Sequence, residues 1–353
     1  MRVLIFSLSY LPMVGGAELA IKEITDRISP TEIEFDLVTL KFGANDPSFE
    51  RIGNVNVYRI GGGFGYLSKI LFIWQASRFA KKREYDLYWS MMTYMSIPAL
   101  WAKKAPFVLT MQDGDTVQHV FNRWFILPFR HLISRGFKEA SKVQAISHFL
   151  AEWSHRDDVL VIPNGVDLNR FNPTSHPFNK VLITTSRLVA KNGVGDLITA
   201  MKFLPEDVML NIIGTGPLEK SLKLKAKSLK FGGRVRFVGN VPNSEVPKYL
   251  SEADIFVRPS LSEGQGIAFI EAMASGLPVV ATPVGGIVDF VRDGETGVLC
   301  RPNDPEGLAK AILSLINDST LRGRVVTNAL QMVRERYSWD LIAEEMRSKV
   351  FKL

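Results

Sequence analysis

Short β-branched runs alternate with amphipathic stretches along the whole chain, and that alternation leaves few folds open. "VLIFSL", "EFDLVTL", "VNVYRI", "DLYWS", "FVLT", "KVQAI" and "VLVIP" read as strands, most of them followed by helical periodicity. After Asn172 the rhythm restarts with "VLITTS", "VMLNIIG", "RVRFVG", "ADIFVRP", "PVVAT" and "TGVLC". Alternating β and α segments predict α/β architecture with parallel sheets covered on both faces. Two series predict two similar domains, and 353 residues exceed what one ordinary core supports. The polar, turn-rich "NRFNPTSHPFNK" at 169–180 marks the join, giving expected domains over 1–168 and 169–338. Ligands of such sheets bind beyond the carboxyl ends of the strands, which for two domains means the cleft between them.

Several classes are excluded early. One cysteine, Cys300, rules out an internal disulfide framework and points to a reducing, cytoplasmic setting. No apolar run has the roughly 18–20 residues that span a bilayer. The opening "MRVLIFSLSYLPMVGG" has a short apolar core, one arginine and no small-x-small site, so it reads as a first strand and not as a leader. The formal charge of +7 is concentrated: residues 64–142 hold 12 Lys/Arg against 5 Asp/Glu, and the rest of the chain balances. No zinc-finger, RNA-binding or basic heptad pattern accompanies it, so nucleic acid is not an expected partner.

Four loops could carry chemistry. In "LPMVGGAELA", Gly15 and Gly16 sit between the first strand and a helix expected from about Ala17. Amides at a helix start, unobstructed by side chains, suit a phosphate or sugar oxygen; a tight strand-to-helix turn is the plainer alternative. In "TTSRLVAKNG", Arg187 and Lys191 follow a strand end and can clamp a diphosphate, or can be two surface cations. In "NIIGTGPLEKSL", Gly214 and Gly216 turn the chain and Pro217 fits a first helical position. Glu219 occupies the third glycine's place, so the nicotinamide fingerprint fails, and no Walker A sequence occurs anywhere. The fourth is "PSLSEGQGIAFIEAMASG", whose helix runs from about Gly266 to a stop at Gly276. The loop amides of Gly264, Gln265 and Gly266 would face a ligand at the sheet edge. Glu263 and Glu271, eight residues apart, can each accept hydrogen bonds from hydroxyls. Two acids for two sets of diols, with a diphosphate between them, describe a nucleoside-diphosphate sugar; a capped core helix with one solvated acid is the alternative.

"SRLVAKNG", "IIGTGPLEKSL", "VRFVGNV", "RPSLSEGQGIAFIEAMASGLPVVATPVGG" and "IPNGVDLNRFNP" closely resemble retaining glycosyltransferases of family 4. "SYLPMVGGAE" extends the likeness to the N-terminus, while residues 40–140 match only loosely. The resemblance implies the GT-B fold, two Rossmann-like domains with a C-terminal helix, about 339–353, crossing back to the first. It implies a UDP- or GDP-sugar donor, a hexosyl group transferred with retention, and a glycan or lipid-linked acceptor, as in polysaccharide biosynthesis. By the same resemblance Gly16 approaches the sugar diphosphate, and Arg187 and Lys191 neutralise it as it leaves. The backbone around Phe237 and Val238 holds the base. Glu263 contacts the transferred sugar and Glu271 the ribose, with Gly214, Gly264, Gln265, Gly266 and Ile267 completing the donor pocket. The implied route is front-face, with a donor phosphate oxygen taking the acceptor's proton and no carboxylate nucleophile.

Three positions depart from the family. A histidine is common where "FVLTMQDGD" places Gln112, beside Asp113, and either could contact the sugar or acceptor. Gln265 stands where an aromatic is usual, and Asp289 replaces a frequent glutamate. Asp113 and Asp115 also form a D-x-D pair of the kind that holds a divalent metal in the other glycosyltransferase fold. The GT-B arrangement supplies cations of its own, so neither a metal nor another cofactor is expected.

"FGYLSKILFIWQASRFAKKR" (64–83) and "FNRWFILPFRHLISRGFKEASK" (121–142) mix aromatics, leucines and cations. Such helices either lie apolar face down on an anionic membrane surface or pack that face on the core and solvate the cations. Other enzymes of the same fold remain weaker readings. A phosphorylase needs a lysine for its pyridoxal cofactor and none is marked, an epimerase has no use for the whole 258–286 motif, and a non-catalytic binder does not account for Arg187, Lys191, Glu263 and Glu271 together.

Overall fold

A computed structural model of the chain describes residues 1–13, 15–63, 65–114, 129–231 and 233–352. It divides into two compact units, Met1–Asn164 with Trp339–Leu353, and Gly165–Ser338. The division falls four residues before the join expected at 168/169 because Val166 and Phe171 are buried in the second unit's core.

The first unit is built on an eight-stranded sheet. Its strands are β1 (Arg2–Phe6), β2 (Glu34–Leu40), β3 (Phe49–Ile52), β4 (Val55–Ile60), β5 (Leu87–Met91), β6 (Phe107–Met111), β7 (Lys142–Ala145) and β8 (Leu160–Val161). They lie in the order β3-β4-β2-β1-β5-β6-β7-β8. All pairings are parallel except β3 with β4. The strand β3, "FERI", forms no apolar run, and the sequence gives it no separate signal beside β4. Side chains alternate between faces, so Leu4 and Phe6 join Val38, Leu40, Tyr88, Leu109 and Met111 in one core. Val3 and Ile5 turn the other way, in register with Phe35, Leu37 and Trp89, all fully buried. Helices α1 (Gly16–Asp26), α2 (Tyr66–Lys81), α3 (Ser96–Ala102), α4 (Arg130–Glu139) and α5 (His148–Ala151) complete the unit. In α2, Phe72, Ala76 and Ala80, four residues apart, pack into the core, and in α4 Ile133, Gly136 and Phe137 do so. Residues 121–128 of the second basic stretch, with Asp115, lie outside the described residues.

The second unit has six parallel strands, β9 (Val181–Thr185), β10 (Met209–Ile213), β11 (Val235–Gly239), β12 (Ile255–Arg258), β13 (Val279–Ala281) and β14 (Val298–Leu299), ordered β11-β10-β9-β12-β13-β14. Its helices are α6 (Val194–Ala200), α7 (Glu219–Ser228), α8 (Val246–Ser251), α9 (Ile267–Ala274), α10 (Pro305–Asn317) and α11 (Ser319–Arg336). Neighbouring residues feed opposite cores: Leu182, Ile255, Val257 and Val280 one, Ile183, Phe256, Val279 and Ala281 the other. Burial on both faces is why these strands read as unbroken apolar runs. Pro217 does not open α7 as expected. The helix begins two residues later at Glu219, because the Leu218 amide is drawn to Leu188 O (3.0 Å) and holds the preceding turn against that loop.

The chain leaves the second unit beside its entry, with the Val166 amide on Tyr337 O (2.6 Å). The last segment returns to the first unit as α12 (Trp339–Glu345) and a π-helical turn, Met346–Val350. It covers the second face of the eight-stranded sheet: Phe351 meets Phe35 at 5.8 Å and Trp89 at 5.0 Å, both edge to face. Ion pairs of Arg27 with Asp340 (2.7 Å) and Arg347 with Glu32 (2.6 Å) flank it. No described helix is long and apolar enough to cross a membrane. Phe351→Ala is expected to cost about 3–5 kcal/mol, read as an earlier denaturant midpoint; an unchanged midpoint would mean the tail does not complete this core.

Candidate active site

The carboxyl ends of β9, β10, β11, β12 and β13 carry loops that are tied to one another through the backbone. Past β9, the Ser186 amide donates to Ile213 O (3.0 Å) and the Leu188 amide to Thr215 O (2.9 Å). The Gly214 amide donates to Gly239 O at the end of β11 (2.7 Å). On the other side, the Leu261 amide donates to Lys191 O (2.6 Å), and the Gly286 amide to Glu263 O (3.1 Å). Two glycines make the close approach possible. Gly214 has φ +119°, and a Cβ there would lie 2.0 Å from Ser186 O. Gly193 has φ +66°, and its Cβ would lie 1.9 Å from Pro259 O. Both the positive φ and the missing side chain are needed at each position.

This framework brings the loop of Arg187 and Lys191 against the loop of Glu263. Arg187 is exposed and Lys191 half-buried, within a short turn that the Asn192 side chain braces by donating from Nδ2 to Arg187 O (2.7 Å). Glu263 stands in the loop four residues before α9, not on the helix, and ion-pairs with Arg258 Nη2. Arg258 closes β12, is nearly fully buried, donates to Ser260 Oγ (3.2 Å) and lies over the Phe269 ring at 5.2 Å. Burial lowers its pKa to about 10, so it stays charged at neutral pH. Glu271 is also buried, on the fifth position of α9. Burial pushes its carboxyl up to about 7, opposed by Arg170, the Asn243 side chain and Arg258. Arg170 is itself held by Asn243, donating to its backbone and side-chain oxygens at 2.8 Å each.

Gly266, with Ile267 after it, caps the start of α9 without any side-chain hydrogen bond, while Gly264, Gln265 and Gly266 are all buried. The Gly264 amide donates to Glu263 Oε1 (3.2 Å). Phe237 and Val238 are half-buried at a break in the ladder, where Ile212 pairs with Phe237 but Ile213 pairs with Gly239. Val238 is thus the extra residue of a bulge, and a bulge re-aims the backbone of its strand.

In the first unit, Gly15 caps α1 without a side-chain hydrogen bond, and the space where a Gly16 Cβ would point is open. Glu18 in the first turn accepts from Ser9 Oγ, which places a carboxylate beside these glycines. Gln112 and Asn164 exchange side-chain hydrogen bonds (3.0 and 3.3 Å). Asp113 is buried and accepts from Thr93 Oγ1 (2.5 Å). Among the described residues no group of His, Cys, Asp and Glu is arranged to hold a metal ion.

Unit by unit, then, Arg187, Lys191, Gly214, Phe237, Val238, Glu263 to Ile267 and Glu271 collect at one edge of the six-stranded sheet. Gly15, Gly16, Gln112 and Asp113 all follow strand ends of the eight-stranded one. Sequence reading missed Arg258, Arg170, Asn243 and Glu18. A signal existed for Arg258: an arginine closing a fully buried strand needs an acid, and Glu263 is five residues on.

A pair of parallel-sheet α/β domains with this topology is the GT-B fold. Sucrose-phosphate synthase from Thermosynechococcus elongatus superimposes with a TM-score of 0.86 at 21% identity, over 98% of this chain and 97% of that one. Anabaena HepE in complex with UDP-glucose superimposes with a TM-score of 0.82 at 23% identity, over 100% of both. The model for glycosyl transferases group 1 matches residues 167–332, and that for glycosyltransferase family 4 matches residues 14–170. An uncharacterized glycosyltransferase of Methanocaldococcus jannaschii is 26% identical over 386 residues, 98% of this chain and 96% of that protein. A phosphatidyl-myo-inositol mannosyltransferase of Mycobacterium leprae is 31% identical over 215 residues, 57% of this chain and 56% of that protein. The chain belongs to the group 1 glycosyltransferases.

The buried pair makes a double substitution informative. Arg258→Met should cost about 3–5 kcal/mol by stranding Glu263, and Arg258→Met with Glu263→Leu should recover much of that loss. Strictly additive losses in urea unfolding would show that the two charges do not depend on each other.

Proposed function

We propose that the chain is a retaining hexosyltransferase that moves sugar from a UDP- or GDP-sugar to a glycan or lipid-linked acceptor. The observation that carries this reading is the tie between the Lys191 and Glu263 loops, which sets cations and an acid side by side at one sheet edge. Arg187 and Lys191 neutralise the departing diphosphate, the charge on which catalysis turns. Glu263 holds hydroxyls of the transferred sugar, steadied by Arg258. Glu271 accepts from the ribose diol, and the bulged backbone at Phe237 and Val238 takes the base. The amides of Gly264, Gln265, Gly266 and Ile267 and the turn at Gly214 line the pocket. In the first unit, Gly15 and Gly16 offer amides to a phosphate or sugar oxygen of the donor, and Gln112 or Asp113 contacts sugar or acceptor.

In the front-face route the acceptor oxygen bonds to the anomeric carbon on the side from which the nucleoside diphosphate leaves. The acceptor's proton passes to a phosphate oxygen of that leaving group. No enzyme carboxylate forms a bond to sugar, and no metal or other cofactor is called for. The UDP-glucose held by Anabaena HepE supports a uridine donor as the first to try, and the name of the mycobacterial relative supports a lipid-linked acceptor.

Lys191→Ala is predicted to abolish transfer, by 10²-fold or more on the order of a lost charge-stabilising donor, without changing the melting temperature. Normal turnover in that variant would remove the diphosphate clamp from the account. Binding of UDP offers a second check through pH. A diol donates to the ionised carboxylate, so ligand favours the charged form of a Glu271 that sits near 7 when free. UDP affinity is expected to rise as pH climbs through about 7 and to level off above it, and Glu271→Gln should remove that rise. Calorimetric titration with UDP and GDP across pH measures this; a pH-independent wild type would place the ribose elsewhere.

A further inference from the structure

The helix α2 has two apolar sides. Phe72, Ala76 and Ala80 are in the core, yet Leu67, Ile70, Leu71 and Trp74 stand 82%, 40%, 51% and 47% exposed. Their spacing of three and four residues makes one continuous stripe. Elsewhere among the described residues, no helix or strand carries more than one large exposed apolar side chain. Single exposed leucines are ordinary, but a contiguous row marks a surface that something covers. The same face continues past Trp74 into Arg78, Lys81 and Lys82, all exposed. The Arg78 guanidinium lies over the Trp74 ring at 4.8 Å.

Beside the stripe, α2, α3 and α4 border an open cavity of about 330 Å³. Trp74, Arg78, Lys81, Lys103 and Arg135 line it, and no lining residue is acidic. Arg135 is paired with Glu139 (2.6 Å) outside that lining, while residues 65–83 contain no acid at all. Apolar side chains in a row, a tryptophan at the boundary and cations behind it are what a bilayer interface selects: the row enters the acyl region and the cations meet lipid phosphates.

We propose that this face of α2, with the cavity beside it, docks the enzyme on a bilayer of anionic phospholipid, the cavity receiving a headgroup phosphate. A protein partner of unmatched charge has no use for an acid-free basic rim, and a second copy of this chain would bring cations against cations. The inference stands on the first unit alone and does not depend on the donor assignments.

The test uses the full chain and vesicles of phosphatidylcholine with and without phosphatidylglycerol. The protein should co-sediment with the anionic vesicles at low salt, weakly with the neutral ones, and less as salt rises. Leu67→Ser with Leu71→Ser should lower partitioning roughly tenfold. Arg78→Gln with Lys81→Gln should lower it on the order of thirtyfold, from about 1 kcal/mol per cation. All four positions are exposed, and unchanged circular dichroism melting confirms intact variants. Failure to bind anionic vesicles at low salt overturns the proposal. So does equal binding to neutral vesicles, or binding that survives the leucine substitutions. Self-association in sedimentation velocity that the leucine substitutions abolish, without vesicle binding, assigns the face to a second copy instead.

Discussion

The hydrogen bond from the Leu261 amide to Lys191 O holds the site together. It joins loops from the adjacent strands β9 and β12, and these two segments carry Arg187, Lys191 and Glu263. Gly193, pressed on Pro259 O, lets them meet, and Gly214 does the same between β9 and β10. Because these contacts are backbone to backbone, they fix where the loops stand whatever side chains the loops carry. Such a framework is positioned before any ligand arrives, which is how an enzyme stabilises developing charge without reorganising at the moment of reaction.

Electrostatics within the second unit follow from burial. Two carboxylates are drawn into low-dielectric surroundings, and each is met by a guanidinium: Glu263 by Arg258, Glu271 by the nearby Arg170. The pairing is unequal. Glu263 has a direct partner, whereas Glu271 is desolvated more than it is compensated, which leaves it close to half-protonated at neutral pH. Asn243 already donates to this carboxylate, and in the proposed reading a ribose diol adds the further donors that favour its charged form.

The fold was largely legible in the sequence because parallel strands buried on both faces announce themselves as apolar runs, and all thirteen expected runs coincide with strands. The edge strand β3 was not legible: its residues alternate between exposed and half-buried, with charges among them. The glycine loops and the acid pair were visible through residue type and spacing. What spacing could not show was the support: Arg170 and Asn243 are 73 residues apart, and nothing local links either to Glu271. Likewise α2 read as a choice between core packing and an outward apolar face, and the folded helix has both, one on each side. A linear pattern rich in apolar residues all round does not say which face finds a partner.

Hydrogen–deuterium exchange of the full chain with and without UDP and GDP probes the central claim most directly, because it reads the backbone of the tied loops themselves. Protection on ligand binding should concentrate in 186–193, 213–218, 237–239 and 260–268. Protection that spares those four segments and appears elsewhere would contradict the account.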